Sequence, residues 1–264
     1  MLKDIAAGMR IYYLEILYRA HFAAATSLLR SHRWVSGILS SAQQGNLHAF
    51  AASFRGFLEA AADTHHSLNV TCTSLADCHS VIRKAMAGKL QELIFAPDLE
   101  ERLIHFTHAR RLEKKAVAPE SHKAEAAAKY LATLNESGDG RVLECYGALC
   151  ELTHPAASSI MCFTDVNDDG TLFKLVPDGS PKLIDEFCGD YSDIMLRIMA
   201  LGIMPPLLQL KVLNHIGPAP LRTPLVERLP LASRPVWLDL RQRLEDPSPP
   251  RSITWHTPMA GGGT

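Results

Sequence analysis

Several residue pairs in this chain have the types and spacing that chemistry requires. Glu151-x-x-His154 sets a carboxylate and an imidazole at i,i+3, on one side of a helix. Di-iron carboxylate bundles use such a pair twice, once from each of two helices. No second Glu-x-x-His occurs in the 264 residues. Glu101 and His105 at i,i+4 have no assignable third ligand, and His65-His66 point to different faces of a helix. Asp165-x-Asn167-x-Asp169-Gly170 copies the opening half of a calcium-binding EF-hand loop, but the twelfth position, where a bidentate glutamate belongs, is Val176. Asp, Asn and Gly are also the residues a tight hairpin turn selects, and that reading is preferred. The chain has no Gly-rich phosphate loop, Walker lysine or nucleophile elbow. Neither a metal nor a cofactor is expected.

Arginine with histidine offers a different chemistry. An Arg-x(4–6)-His spacing is a ribonuclease signature in one group of helical bundles, and it occurs as Arg102-x5-His108 and Arg251-x4-His256. Chance supplies roughly two such matches at this histidine content. Arg102 and His108, in a predicted helix, are kept as candidate binding residues; Arg251/His256 lies in a proline-rich tail. Arg55 and Glu59 form an i,i+4 pair among Phe50, Phe54, Phe57 and Leu58. A charged pair there is either half-exposed or buried with partners. The six cysteines (72, 78, 145, 150, 162, 188) form no Cys-x-x-Cys pair, and buried structural thiols are expected.

The elements that must carry these residues are mostly helices. Apolar periodicity predicts a helix over 5–29, a break and N-cap at Gly45-Asn46, and a helix from Leu47 to about Leu68. Further helices are predicted over 74–87, 98–115, 121–134 and 141–153, the last stopped by Pro155. Ser137-Gly138-Asp139-Gly140 reads as a turn. Strands over 159–163 and 171–176 flank the Asp/Asn/Gly turn and predict a hairpin. Pro181 opens a long apolar helix through Leu213, with a kink expected at Pro205-Pro206. Nine of the sixteen prolines fall in the last 48 residues, so one short helix over 234–245 and a tail are expected there. The expected architecture is all-α: a helical-bundle domain over 1–216 with a small β-hairpin near 159–176 before the long C-terminal helix, and a Pro-rich extension over 217–264.

Composition narrows the function classes. The chain is 47% hydrophobic and 21% charged, which excludes bulk disorder. The net charge of −1 lacks the basic excess of a DNA-coating protein. The first twenty residues carry Lys3, Asp4, Arg10 and Glu15 and so lack the apolar core of a signal peptide. The most apolar stretch, 198–208, is short for a bilayer and interrupted by prolines. A cytoplasmic protein with reduced cysteines and no membrane association is expected. The apolar helix 194–213 is a candidate surface for a partner protein or a second copy.

Two segments resemble a known class. Phe54-Arg55-Gly56-Phe57-Leu58-Glu59 is similar to the early arginine–glutamate helix of many bacterial helical proteins, and Tyr146-Gly147-Ala148-Leu149-Cys150-Glu151-Leu152-Thr153-His154-Pro155 to their later tyrosine–glutamate–histidine-proline segment. Both resemble HEPN-like helical bundles, across residues 5–215. Many of that class are metal-independent ribonucleases, often in bacterial defence or stress modules; others are non-catalytic. The resemblance implies RNA or a nucleotide as ligand, Arg55, Glu59 and His154 as catalytic residues, and Tyr146 and Glu151 as binding residues. The Arg-x(4–6)-His spacing is not formed at Arg55, since His65 lies too far along. The alternative is a non-catalytic scaffold that docks a partner. An open cluster of Arg55, Glu59 and His154 would favour the first reading. A closed network with an exposed apolar patch over 198–213 would favour the second.

Overall fold

A computed structural model describes residues 2–113, 117–137, 140–155, 157–166, 169–170 and 173–246. The fold is all-α with one small hairpin, as expected. Helix α1, Leu2–Gln43, runs much further than the 5–29 periodicity suggests, because no proline stops it and Ile38 and Ser41 keep its inner face buried. The chain breaks at Gly45-Asn46, as expected. Gly45 adopts φ 62°, its N–H bonds the Ala42 carbonyl, and the Asn46 N–H reaches back to Ser41. This pairing at a left-handed glycine closes the helix end. Asn46 Oδ1 then accepts the Ala49 N–H at 3.0 Å and caps α2, Leu47–Asp77. Leu68, Cys72, Leu75 and Ala76 keep α2 apolar for two turns past the expected end. The helix expected over 74–87 is therefore divided at Cys78, with α3 at His79–Met86.

Two further boundaries move for local reasons. Helix α4, Pro97–His108, stops well short of residue 115. Ala109 turns extended, and Arg110 exchanges backbone bonds with His122 and Ala124, forming an isolated parallel bridge to Lys123. The helix expected from Ser121 is a single 3-10 turn at Glu120–His122, followed by α5, Ala127–Ser137. Helix α6, Arg141–Thr153, has the expected limits. The segment 159–161, expected as strand, belongs to a short helix, α7, Ala157–Met161. Its side chains bond backward, Ser158 Oγ to Glu151 and Cys162 Sγ to the Ser159 carbonyl, which favours a helical turn over an extended one. The hairpin starts later: β1, Thr164–Val166, pairs antiparallel with β2, Phe173–Leu175, in the register Asp165↔Lys174. Helix α8, Ser180–Ile216, is continuous through Pro205 and Pro206. Beyond it lie α9, Pro224–Glu227, and α10, Pro235–Glu245. The turn at Gly138-Asp139, residues Lys114 and Lys115, the Asn167-Asp168 turn centre and the tail with Arg251 and His256 lie outside the described residues.

The described residues group into two compact units. One takes those within 1–26, 67–125 and 205–264; the other, those within 27–66 and 126–204. The long helices α1, α2 and α8 each contribute a segment to both, so neither unit is a continuous piece of chain. In the first, Gln209 is fully buried and donates to the Ala20 carbonyl at 2.7 Å while accepting from Thr71. Lys211 is also buried, bonded to Glu227 at 2.7 Å with its ammonium 4.7 Å from the Trp237 ring centre. In the second unit the core gathers Phe50, Phe54, Phe57 and Leu58 from α2, Leu131 and Leu134 from α5, Val142, Cys145 and Leu149 from α6, and Phe187 and Ile194 from α8. Gly202 lets α8 approach α2 closely, since a Cβ there would lie 2.6 Å from that of Ala61.

Candidate functional site

The second unit brings Arg55 and Glu59 of α2 against Tyr146 and Thr153 of α6. The register follows from the core: Phe54, Phe57 and Leu58 point inward and leave Arg55 and Glu59 at the edge of the buried face, as Cys145 and Leu149 leave Tyr146 and Thr153. Arg55 Nε donates to Glu59 Oε1 at 3.2 Å, and Nη1 donates to Thr153 Oγ1 at 3.2 Å. The guanidinium lies over the Tyr146 ring, 5.6 Å from its centre. Tyr146 in turn donates its hydroxyl to the same Glu59 oxygen at 2.8 Å. Glu59 is therefore the hub, one carboxylate oxygen fixing both the cation and the phenol.

The cluster is half-open. The Arg55 and Glu59 side chains keep 29% and 35% of their exposure. Arg55 Nε and Nη1 are both held, and the Tyr146 side chain adds a further interaction with the guanidinium. Burial works against the Arg55 charge, but the neighbouring Tyr146, Cys150 and Glu59 more than offset it and raise its pKa. The Tyr146 hydroxyl is pushed up to about 12, first by burial and then by its bond to Glu59, with Arg55 pulling the other way. At neutral pH the cluster thus holds a guanidinium cation and a protonated phenol.

The other expected site residues lie elsewhere. His154 caps α6 one residue beyond Thr153, but its backbone is extended (φ −80°, ψ 150°), as a residue before proline prefers. The side chain is exposed, and no hydrogen bond or ion pair among the described residues joins it to Arg55 or Glu59. Glu151 is exposed and accepts from Ser158 Oγ at 2.8 Å, outside the Arg55 set. Arg102 and His108 sit on α4 in the other unit. Arg102 is exposed, and His108 stacks on His122 at 4.7 Å between ring centres while bonding Thr107 Oγ1. Thr153 is the member that spacing missed. It is a residue of the quoted α6 segment, and its value as an acceptor for Arg55 follows only once α2 and α6 are seen to pack.

Among the described residues, no group of three or more His, Cys, Asp or Glu side chains is placed to hold a metal ion. Three cysteines of the second unit are weakly acidic thiols. Burial raises Cys145 to about 12 and also raises Cys162 and Cys188. Cys162 Sγ lies 4.0 Å from His48 Nε2, and both atoms also bond the Ser159 carbonyl. Between Ile198 and Leu213 no large hydrophobic side chain is exposed, so the apolar patch considered for partner docking on that stretch is not present on the surface; Leu196, just before it, is exposed. The prolines do not shorten α8, which among the described residues is the helix long and apolar enough to cross a membrane, and 56% of its most apolar window is buried. Comparison with protein-family models, with curated proteins and with solved structures finds no match to this chain.

Proposed function

We propose that this is a HEPN-like helical protein of the cytoplasm that binds RNA or a nucleotide by its phosphate, with Arg55 as the anion-holding residue and Glu59 and Tyr146 as the residues that position it. One observation carries the reading. The guanidinium is fixed in orientation by Nε and Nη1, on a side chain that remains partly exposed. A guanidinium oriented in this way at a partly exposed edge can still turn its remaining N–H groups to a phosphate oxygen. The Glu59 carboxylate balances the charge of Arg55, so affinity for an anion would rest on donor geometry and on the exclusion of water by Tyr146 more than on net charge. The partner-docking reading by way of 194–213 has less support, because most of that stretch is buried.

The test is fluorescence anisotropy with a labelled single-stranded oligoribonucleotide, competed with ATP and with inorganic phosphate. Binding that Arg55→Ala weakens at least tenfold, at unchanged helix content, supports the proposal; Arg55→Lys should restore only part of it, since an ammonium cannot replace the fork. A gel assay of RNA integrity with wild type and His154→Ala, run beside it, tells cleavage from binding. Equal affinity of wild type and Arg55→Ala for every probe would overturn the reading.

A further inference from the structure

Helix α1 is apolar on two opposite faces. The inner face, with Met9, Tyr13, Ile16, Leu17, Ala20 and Ala24, is buried. At 3.6 residues per turn, Ile11, Tyr18, Phe22 and Leu29 fall within roughly 40° of one another on the opposite side. All four are exposed, Ile11 and Leu29 by 68% and 63%; Leu39, exposed at 58%, joins them only with the left-handed drift of a seven-residue repeat. A helix apolar all round belongs in an interior, and an exposed run of this kind marks an interaction surface. The spacing is specific. Positions 11, 15, 18, 22, 25, 29, 32, 36 and 39 alternate at steps of four and three, the seam of a coiled coil, and all but residue 25 are exposed. The seam runs for about 42 Å of helix.

We propose that this seam is the interface of a homodimer in which two α1 helices pack antiparallel about a twofold axis close to Ala25. The occupant is a second copy because the seam is self-complementary when reversed. About that axis Ile11 meets the partner's Leu39, Phe22 meets the partner's Leu29, and Tyr18 meets the partner's His32. Glu15, which already bonds Arg19 within its own helix, comes beside the partner's Arg33 as a cross-chain ion pair. Ala25, small and half-buried, sits where the helices cross. Parallel packing would instead set Glu15 against its own copy in the seam, which like-charge repulsion disfavours. A twofold contact of this kind closes on itself and stops at two chains. The inference is independent of the reading of Arg55.

Sedimentation velocity on the full chain tests it. Wild type should be a dimer at micromolar concentration, and Phe22→Glu combined with Leu29→Lys should raise the dissociation constant roughly 100-fold or more with no loss of helix signal, since both side chains are exposed. Glu15→Arg should weaken the dimer and Arg33→Glu in the same chain should restore it. Ala25→Cys should cross-link between chains under mild oxidation, where wild type with its six cysteines does not. A wild-type monomer across the accessible concentrations, or a dimer indifferent to the Phe22/Leu29 change, overturns the interface. Failure of Arg33→Glu to rescue Glu15→Arg, or of residue 25 to cross-link, overturns the antiparallel arrangement.

Discussion

Replacing Arg55 by alanine separates a strut from a site. The interactions it removes are three, and none is fully buried. The i,i+4 pair with Glu59 joins side chains about one-third exposed, for which about 0.3–0.5 kcal/mol is typical. The bond to Thr153 Oγ1 contributes about 0.5–1.5 kcal/mol. Stacking of the guanidinium over Tyr146 adds about 0.5–1 kcal/mol at a partly exposed position. These share one side chain and overlap, so the expected loss is about 1–2 kcal/mol. Had the pair been sealed in the core, stranding Glu59 would cost about 3–5 kcal/mol. Urea titration followed by circular dichroism measures the loss, beside anisotropy with labelled RNA. The expected outcome is a modest shift in midpoint at unchanged slope, with binding reduced at least tenfold. A loss above about 3 kcal/mol with intact RNA affinity would refute the reasoning, because Arg55 would then be a structural strut whose exposure has no use.

Other perturbations have equally definite signs. His65 is buried, and burial lowers its pKa below 6.5 against the opposing pull of the Leu201 carbonyl, so its contribution to stability is present above about pH 6.5 and is lost as pH falls through the lowered folded value. Denaturant midpoints at pH about 7 and about 5 should therefore differ, and His65→Gln should shrink the difference; an unchanged difference in the variant would count against the assignment. Gly202→Ala places a Cβ 2.6 Å from Ala61 Cβ and 3.0 Å from its Cα, where backbone must move, and should cost about 1–3 kcal/mol in the same titration. Calorimetry should detect no specific calcium binding at 165–176, since Val176 stands where the bidentate carboxylate is needed. Micromolar binding abolished by Asp165→Ala would reverse that conclusion.

Helix content was legible because α1, α2, α6 and α8 repeat apolar residues at a period of 3.6 over many turns, and because Gly45-Asn46 and Pro155 punctuate them with known backbone preferences. Boundaries failed where tertiary contacts overrode local signals. Nothing near residue 109 announces that Arg110 will pair with the backbone at 122–124, and Ile160 and Phe163 look strand-like until the backward bonds of Ser158 and Cys162 are counted. Of the site, the Arg55/Glu59 pair was readable from spacing and Tyr146 was named only through the resemblance of its segment, but Thr153 was not singled out. That residue gains its role from a helix nearly one hundred residues earlier in the chain.

The same geometry bears on whether the Arg55 cluster could cleave what it holds. General base catalysis needs a group free to accept a proton, within hydrogen-bond reach of the reacting hydroxyl. Glu59 Oε1 already accepts from both Arg55 and Tyr146. Tyr146, at about 12, keeps its proton at neutral pH and is a donor. Thr153 spends its own proton within α6, on the Leu149 carbonyl at 2.8 Å, and turns its lone pair to Arg55. These roles aim the cation, and among the described residues Glu59 Oε2 is left without a hydrogen bond. A second candidate base is His154, and Pro155 sets its backbone extended so that the ring starts outside the set. Cleavage would require a proton acceptor at the bound phosphate, either Glu59 Oε2 or a His154 swung in from solvent, and the RNA-integrity assay with His154→Ala tells the two apart.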